Sequence, residues 1–474
     1  MSDTLLEQVT AFLVARQVEA YLVGGYVRDL LLKQPSNDID IAVQGDAIAL
    51  ARALADALGG HFVLLDARNA IARVVTEDRR AYVDFTRLRG DDIHTDLAAR
   101  DFTFNALAIP LTATGLGPMM DLFGGQKDLK QGRIRVVSDD AFRDDPVRLV
   151  RAVRFAAQRG YTIEEHTVNL VKRDAWLLAL ASAERVRDEL IKILAAAGAW
   201  RNLHLLDDLG LLSIALPELD ALRGVEQRHE HYYDVFTHTL AVTDAVEETL
   251  IACDVAEIGK RPAGPPHPPL PVAVLGAVAE PVRTHMAEVV AADRTRVVTL
   301  KLAALFHDIA KPQTRVVDAD GQTRFFEHPV AGAAIAEEAL LRLRFSLRET
   351  RIVSTIVRNH MRPAQIAAEP QATMRAVYRY CRDTGSEGVD TLLLSLADHI
   401  GTQGPRLNPS AWWQHAQFTR LMLEHYYARP PRPASLPRLL RGHDIMKHLG
   451  LPTGPLVGQL LEEVREAQMV GEVS

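Results

Sequence analysis

Residues 20–43 read AYLVGGYVRDLLLKQPSNDIDIAV, and this stretch decides the fold of the N-terminal third. AYLVGG (20–25) has the composition of a short strand ending in a glycine pair. VRDLLL (27–32) switches to helical spacing, so a helix is expected to begin near Val27. IDIAV (39–43) reads as a second strand. Gly24 and Gly25 therefore stand where a strand hands over to a helix. Glycines at such a turn let backbone N–H groups approach an anion, and the helix N-terminus adds a favourable dipole. Asp38 and Asp40 are i and i+2 on a strand and share one face. Two such carboxylates repel unless a divalent cation neutralises them, which suits Mg²⁺ held by carboxylates and substrate phosphates.

The pattern continues on both sides. HFVLL (61–65), ARVVT (72–76) and AYVDFT (81–86) read as strands, and DAIALARALADAL (46–58) as a helix. Asp84 in YVDF is a candidate additional acid, or a structural residue at a strand end. Arg100-Asp101-Phe102-Thr103-Phe104-Asn105 places a cation, an acid and an amide before an apolar run. Taken singly, these are an ordinary turn, a solvated acidic turn and a capped helix start. Together and in this order they are the parts for nucleotidyl transfer, the in-line attack of a hydroxyl on an α-phosphate.

After Asp145 the chain is rich in Ala, Leu, Arg and Glu and reads as helix almost to its end. A domain boundary is expected near 140. Asp145 is a good N-cap and Pro146 a good first helical residue. Arg148, Arg151 and Arg154 follow at three-residue steps on one broad face. KRPAGPPHPPLP (260–271) reads as a stiff extended loop or a poorly ordered insertion, and ARPPRPASLP (428–437) as a second break. No repeat of solenoid period is present.

With 474 residues, 48% hydrophobic and 24% charged, the chain is neither disordered nor collagenous, and no apolar run reaches bilayer length. Its N-terminus lacks the pattern of a signal peptide, so a soluble cytoplasmic protein with no membrane partner is expected. Two cysteines, Cys253 and Cys381, exclude a disulfide framework or a thiolate zinc cage. A net charge of −7 argues against nucleic acid only superficially, because binding depends on the local patch.

LVGGYVRD, DID, RDFTFNALA (100–108) and DLFGGQKDLKQGRIR (121–135) resemble the head domain of bacterial class II tRNA nucleotidyltransferases, the CCA-adding and poly(A)-polymerase-like family. DDPVRLVRAVRFAAQRGY (144–161) and ERVRDELIKIL (184–194) extend the resemblance. It implies an α+β protein, with a polymerase-β-like α/β head followed by a mostly helical neck, body and tail. It further implies that Gly24, Gly25 and Arg28 contact the triphosphate, and that Asp38 and Asp40 hold catalytic Mg²⁺. Arg100 and Asp101 match a motif contacting ribose and phosphates, although Ala99 stands where the family usually has another arginine. Asp145 and Arg148 match the pair that reads the base edge, with Arg151 and Arg154 nearer the phosphates. A fork of guanidinium donors beside an acceptor-only carboxylate suits such reading. Asp144 replaces the family's usual glutamate.

A second constellation runs through the helical region: His238, His307-Asp308, His328, His360 and Asp398. A His-Asp pair in an apolar run is costly to bury without a partner, and metal is the usual one. The set resembles the HD phosphohydrolase superfamily, which implies His238, His307, Asp308 and Asp398 as ligands of a divalent ion (Mn²⁺, Ni²⁺, Co²⁺, Fe²⁺ or Mg²⁺). His328 and His360 are candidates for a second ion, and Lys311 for a phosphate contact.

The expected divisions are a nucleotidyltransferase head (1–140), a neck (141–222), an HD domain (223–405) and a tail (406–474). In the tail, Arg420, Arg429, Arg432, Arg438, Arg441 and Lys447 interleave with Trp412, Trp413, Phe418, Tyr426 and Tyr427. That mixture suits RNA phosphates and exposed bases, or an aromatic core under a basic surface. The expected function is addition of CCA to tRNA from CTP and ATP. CC-only addition, A-only addition and poly(A) synthesis remain open within the class. A metal-dependent phosphohydrolase using the head as an RNA-binding module is the alternative from another class.

Overall fold

The computed structural model describes residues 2–256, 261–319, 321–368, 374–428, 439–469 and 472–473. It opens with helix Ser2–Ala15 (α1), strand Ala20–Val23 (β1), helix Gly24–Leu31 (α2) and strand Asp38–Val43 (β2). Helix Ala47–Leu58 (α3) precedes strands His61–Asp66 (β3), Ile71–Val75 (β4) and Tyr82–Arg87 (β5). The short helix Ile93–Ala98 (α4) leads to strands Leu107–Thr112 (β6), Gly115–Leu116 (β7) and Met120–Asp121 (β8). The sheet order is β3-β4-β5-β2-β1-β6-β7, with β8 also on β6. All neighbours are antiparallel except β2 and β5.

Alternation in β2 separates core from chemistry. Ile39 and Ile41 are 1% exposed and pack with Val83 and Phe85 of β5 against Val9 and Leu13 of α1 and Leu54 of α3. Burying each such side chain contributes about 1.5–3 kcal/mol. Asp38 and Asp40 consequently occupy the opposite face. Helix α3 is closed at both ends: Asp46 accepts the Ala49 N–H, and Gly59 takes the left-handed conformation at φ 64°. Helix α2 starts at Gly24, three residues earlier than the spacing suggested, because the turn itself already has helical hydrogen bonding.

Beyond the sheet come helices Gly125–Gln131 (α5), Ala141–Asp144 (α6) and Val147–Arg159 (α7). Asp145 is extended, and its Oδ1 accepts the Val147 N–H at 3.3 Å, so the cap is present and the helix begins one residue later than expected. Residues 1–181, with Leu209–Leu211, form one compact unit; 182–208 and 212–474 form a second.

The second unit is helical, with two short hairpins at 289–295 and 315–325. Helix Val235–Ala252 packs against helices Arg296–Phe306 and Glu387–Gln403. Residues 261–271 of the proline-rich stretch form a loop without helix or strand; Lys260 lies outside the described residues. Arg261 ties this strap to helix Val235–Ala252 through Asp244, Glu247 and Glu248. In the tail, Trp412 is fully buried and donates Nε1–H to the Leu396 carbonyl at 3.2 Å, which makes it core. Arg420 pairs with Glu424, and Arg429, Arg432 and Arg438 lie outside the described residues. Both cysteines are buried free thiols, and no helix among the described residues is long and apolar enough to cross a membrane.

Candidate active site

The Gly24–Gly25 turn and the acidic strand meet directly. Asp40 Oδ2 accepts the backbone N–H groups of Gly25 at 3.1 Å and Tyr26 at 3.3 Å. A methyl group at Gly25 would lie 3.2 Å from Asp40 Oδ2 and 3.5 Å from Arg28 Nη2; at Gly24 it would lie 3.0 Å from Arg100 Nη1. Gly24 also has φ +64°, a conformation costly for any other residue. The turn is thus a side-chain-free cradle with a guanidinium on either side.

Parallel pairing of β2 with β5 sets Asp84 opposite Asp40 in register, so Asp38, Asp40 and Asp84 share one sheet face. Arg73 from β4 holds Asp84 with both ends of its fork, Nε to Oδ1 at 2.7 Å and Nη2 to Oδ2 at 2.8 Å. Burial, and then the Asp84 charge, push the Asp40 carboxyl up to about 6 against the pull of Arg100. Excess negative charge on one face with a half-buried acceptor is the environment a divalent cation relieves, and Asp38 and Asp40 fit that role.

Around the cradle, Arg100 is anchored by Asp96 at 2.8 Å, and Arg28 donates to both Asp29 oxygens and to Asn105 Oδ1. Asp101 is buried; it accepts the Phe102 N–H at 2.7 Å, Asn105 Nδ2–H at 3.1 Å and Arg151 Nη1–H at 3.3 Å. Burial alone would raise its pKa, but Arg151, these donors and Arg148 outweigh it and hold the carboxyl below its usual range. Arg148 is buried too and donates to the carbonyls of Ala99 (2.8 Å), Arg100 (3.2 Å) and Ala141 (3.2 Å), with Asp145 at 3.9 Å. Arg154 lies over the Phe155 ring and donates to Gln158. Sequence reasoning missed Asp29, Asp96 and Arg73, which position Arg28, Arg100 and Asp84 respectively. Their only signal was alternation on strands and helices whose pairing was unknown.

The second unit gathers the histidines as the sequence suggested. His238 Nε2 lies 3.2 Å from His307 Nε2, Asp308 Oδ2 and Asp398 Oδ1. His328 and His360 approach Asp308 Oδ1 at 3.4 and 3.8 Å. Burial would lower His238, but Asp308 and Asp398 overcome it and push it up to about 9, which marks a point that demands positive charge. Burial and then His307 push His360 down to about 3, which keeps the imidazole neutral. Lys311 Nζ sits 2.6 Å from Asp308 Oδ2 and 2.5 Å from Gln227 Oε1.

Residues 20–135 match the poly(A) polymerase head domain, 160–223 the probable RNA and SrmB-binding site of polymerase A, and 278–401 the HD domain. The chain is 33% identical over 460 residues to an A-adding tRNA nucleotidyltransferase of Deinococcus radiodurans, covering 96% of this chain and 92% of that one. It belongs to the tRNA nucleotidyltransferase family. A CC-adding tRNA nucleotidyltransferase of Geobacter sulfurreducens is likewise 33% identical, over 96% of this chain and 89% of that one. The fold is that of a Thermotoga maritima CCA-adding enzyme solved with tRNA, with a TM-score of 0.60 at 22% identity, covering 99% of this chain and 92% of that one. As a tRNA nucleotidyltransferase carrying an HD domain, the protein is an enzyme with divalent-metal sites in both units. His238 lies outside the HD match and joins that site through the packing of helix Val235–Ala252.

Proposed function

We propose that this enzyme adds or repairs the 3′-terminal CCA of tRNA from CTP and ATP without a template, releasing pyrophosphate, in the cytoplasm. The observation that carries the reading is the bond between Asp40 and the Gly25 and Tyr26 amides. It joins the acidic strand and the side-chain-free glycine turn into one site. Mg²⁺ held by Asp38 and Asp40 supplies charge at the entering and leaving oxygens of an in-line displacement. Gly24 and Gly25 leave room for the triphosphate, and Arg28 and Arg100 flank it as cations. Asp101 orients Arg151 toward the same site, and Arg154 extends the basic face of α7. Asp145 and Arg148 select the base. Arg148 exchanges one of its backbone carbonyl contacts for the base edge, and its rigid fork limits the choice to C and A.

Relatives of nearly equal length bear the names A-adding and CC-adding, so the products must be read nucleotide by nucleotide. Transfer RNA lacking its last three nucleotides is incubated with Mg²⁺ and CTP, ATP or both, and products are resolved on a sequencing gel. The proposal expects two additions with CTP alone and three with both. No extension with both nucleotides overturns it. Arrest after two residues with ATP present moves the assignment to CC addition, and extension only of substrates already ending in CC moves it to A addition.

A further inference from the structure

We propose that Arg159 is a positioning residue for the incoming nucleotide. With Asp29 it locks the fork of Arg28 and makes the phosphate cradle and the nucleotide-selecting helix α7 one rigid body. The inference rests on the reading of Arg28 as a triphosphate contact.

Helix α7 presents Arg151, Phe155 and Arg159 at four-residue steps, one side chain per turn on one face. Arg159, the last residue of the helix, donates Nη2–H to Asp29 Oδ1 at 2.9 Å and Nη1–H to Gln34 Oε1. Asp29 also accepts from Arg28, Nε to Oδ1 at 3.0 Å and Nη2 to Oδ2 at 2.9 Å. Arg28 Nη1 then donates to Asn105 Oδ1 at 2.9 Å, and Asn105 Nδ2 to Asp101 Oδ1 at 3.1 Å. Asp101 Oδ2 accepts Arg151 Nη1–H at 3.3 Å, which closes the ring. The bonds leave α7 at Arg159 and return to it at Arg151, about 12 Å along the helix axis. Phe155 fills the space between. Its ring lies edge-on to Phe102 and Phe104, with centroids 5.6 and 5.0 Å apart, and the Arg28 guanidinium stands 5.6 Å from its centroid.

The ring fixes what Arg28 can offer a ligand. Three of its five N–H groups are consumed, which leaves one on each terminal nitrogen. Both of those nitrogens lie beside the glycine turn: a methyl group on Gly25 would stand 3.5 Å from Nη2 and 3.9 Å from Nη1. Two donors held in one plane there suit two oxygens of a phosphate. Asp29 Oδ1 is shared by both guanidinium groups, so Asp29 cannot turn with Arg28 while Arg159 holds it. The side chains of Arg28, Asp29 and Arg159 are 12, 17 and 21% exposed, and bonds so shielded keep a geometry that an exposed pair would lose. Because α7 also carries Arg148, the ring sets the distance between the phosphate contact and the base contact. A shift of about 1 Å in such a register is enough to cost a large factor in rate.

The test is steady-state addition of the accepted nucleotide, CTP or ATP, to a tRNA primer by the full chain, with melting followed by circular dichroism. Arg159→Met should raise the KM for that nucleotide about 5-fold and leave the KM for tRNA within about 2-fold of wild type. Arg28→Met should raise it about 30-fold, and the double variant should match Arg28→Met within about 2-fold, because an effect transmitted through Arg28 vanishes without it. Arg159→Lys, which keeps a cation for Asp29, should restore the KM to within about 2-fold of wild type. Discrimination against UTP, as a ratio of kcat/KM values, should fall about 3-fold in Arg159→Met as the base register loosens. An unchanged nucleotide KM in Arg159→Met, an undiminished effect on top of Arg28→Met, or discrimination at the wild-type value overturns the inference. A cation that served only the last turn of α7 would lower the melting temperature and give that undiminished effect in both backgrounds. If Arg28→Met itself leaves the nucleotide KM unchanged, the reading of Arg28 fails. If only Arg159→Met does so, the inference fails alone.

Discussion

Replacing Asp40 with asparagine should abolish nucleotide addition and yet stabilise the metal-free enzyme. The ionised carboxylate is crowded by burial and by Asp84, which push its pKa from 3.8 up to about 6. An acid whose folded pKa is raised binds its proton more tightly when folded, so stability falls as pH rises from about 3.8 through 6 and stays reduced above it. A rise of about two pKa steps corresponds to about 3 kcal/mol, and screening of this half-buried group brings the penalty to about 1–2 kcal/mol. Asparagine keeps the shape and an oxygen for the Gly25 and Tyr26 amides but removes the charge. For a unit of residues 1–181, melting should rise by about 3–6 °C at pH 7.5 in EDTA, read by scanning calorimetry. Mg²⁺ should raise the melting temperature of the wild type and leave that of Asp40→Asn unchanged. Extension of tRNA lacking CCA should fall at least about 10³-fold, since the cation that stabilises the transferring phosphate loses a ligand. A lower melting temperature for the variant in EDTA, or extension above about one hundredth of the wild-type rate, refutes the reasoning.

Arg148→Lys should lower the urea unfolding free energy by about 1–3 kcal/mol, because one ammonium cannot serve the three backbone carbonyls that Arg148 reaches. It should also weaken discrimination among nucleotides, read as misincorporation of UTP or GTP. Lys301 is 2% exposed and pairs with the fully buried Glu247 at 2.7 Å. Lys301→Met should therefore cost about 3–5 kcal/mol, and adding Glu247→Gln should recover part of the loss in a double-mutant cycle. Glu349 is held below its ordinary 4.5, burial being outweighed by Arg294 and Ser346. Its contribution is present above that value and lost as pH falls through the lower folded value. The stability gap between wild type and Glu349→Gln should therefore close on acidification, as followed by urea midpoints from pH 7 to 3.

Much of the head was legible because its signals are local. The period-two alternation in DIDIAV puts Ile39 and Ile41 on the core face and Asp38 and Asp40 on the other, whatever the strand pairs with. The glycine pair marks a turn that admits no side chain, and the expected strands at 61–65, 72–76 and 81–86 are all present. The third acid was left open, Asp84 reading as an additional acid or as a structural residue at a strand end. Asp84 joins Asp38 and Asp40 only because β5 runs parallel to β2 in the register that sets it opposite Asp40, and no local pattern encodes a register across that distance. The basic and aromatic tail was ambiguous for a similar reason: Trp412 becomes core once helix Glu387–Gln403 offers it a carbonyl.

The sequence alone determined the order of the elements, the passage from a mixed to a helical architecture, and the family, and it named the residues expected to carry chemistry. Those depend on residue identity and short-range periodicity, which a linear chain displays. Tertiary structure decided what each group is free to do. Asp101, expected at the substrate, is engaged by Arg151 and Asn105, and Arg148 is braced by three carbonyls, two of them from the distant segment 99–100. Histidines from four helical segments converge on the two oxygens of Asp308. Convergence of this kind arises when helices bury their apolar faces together, and the spacing of polar groups at that junction is a property of the packing, which no single segment carries.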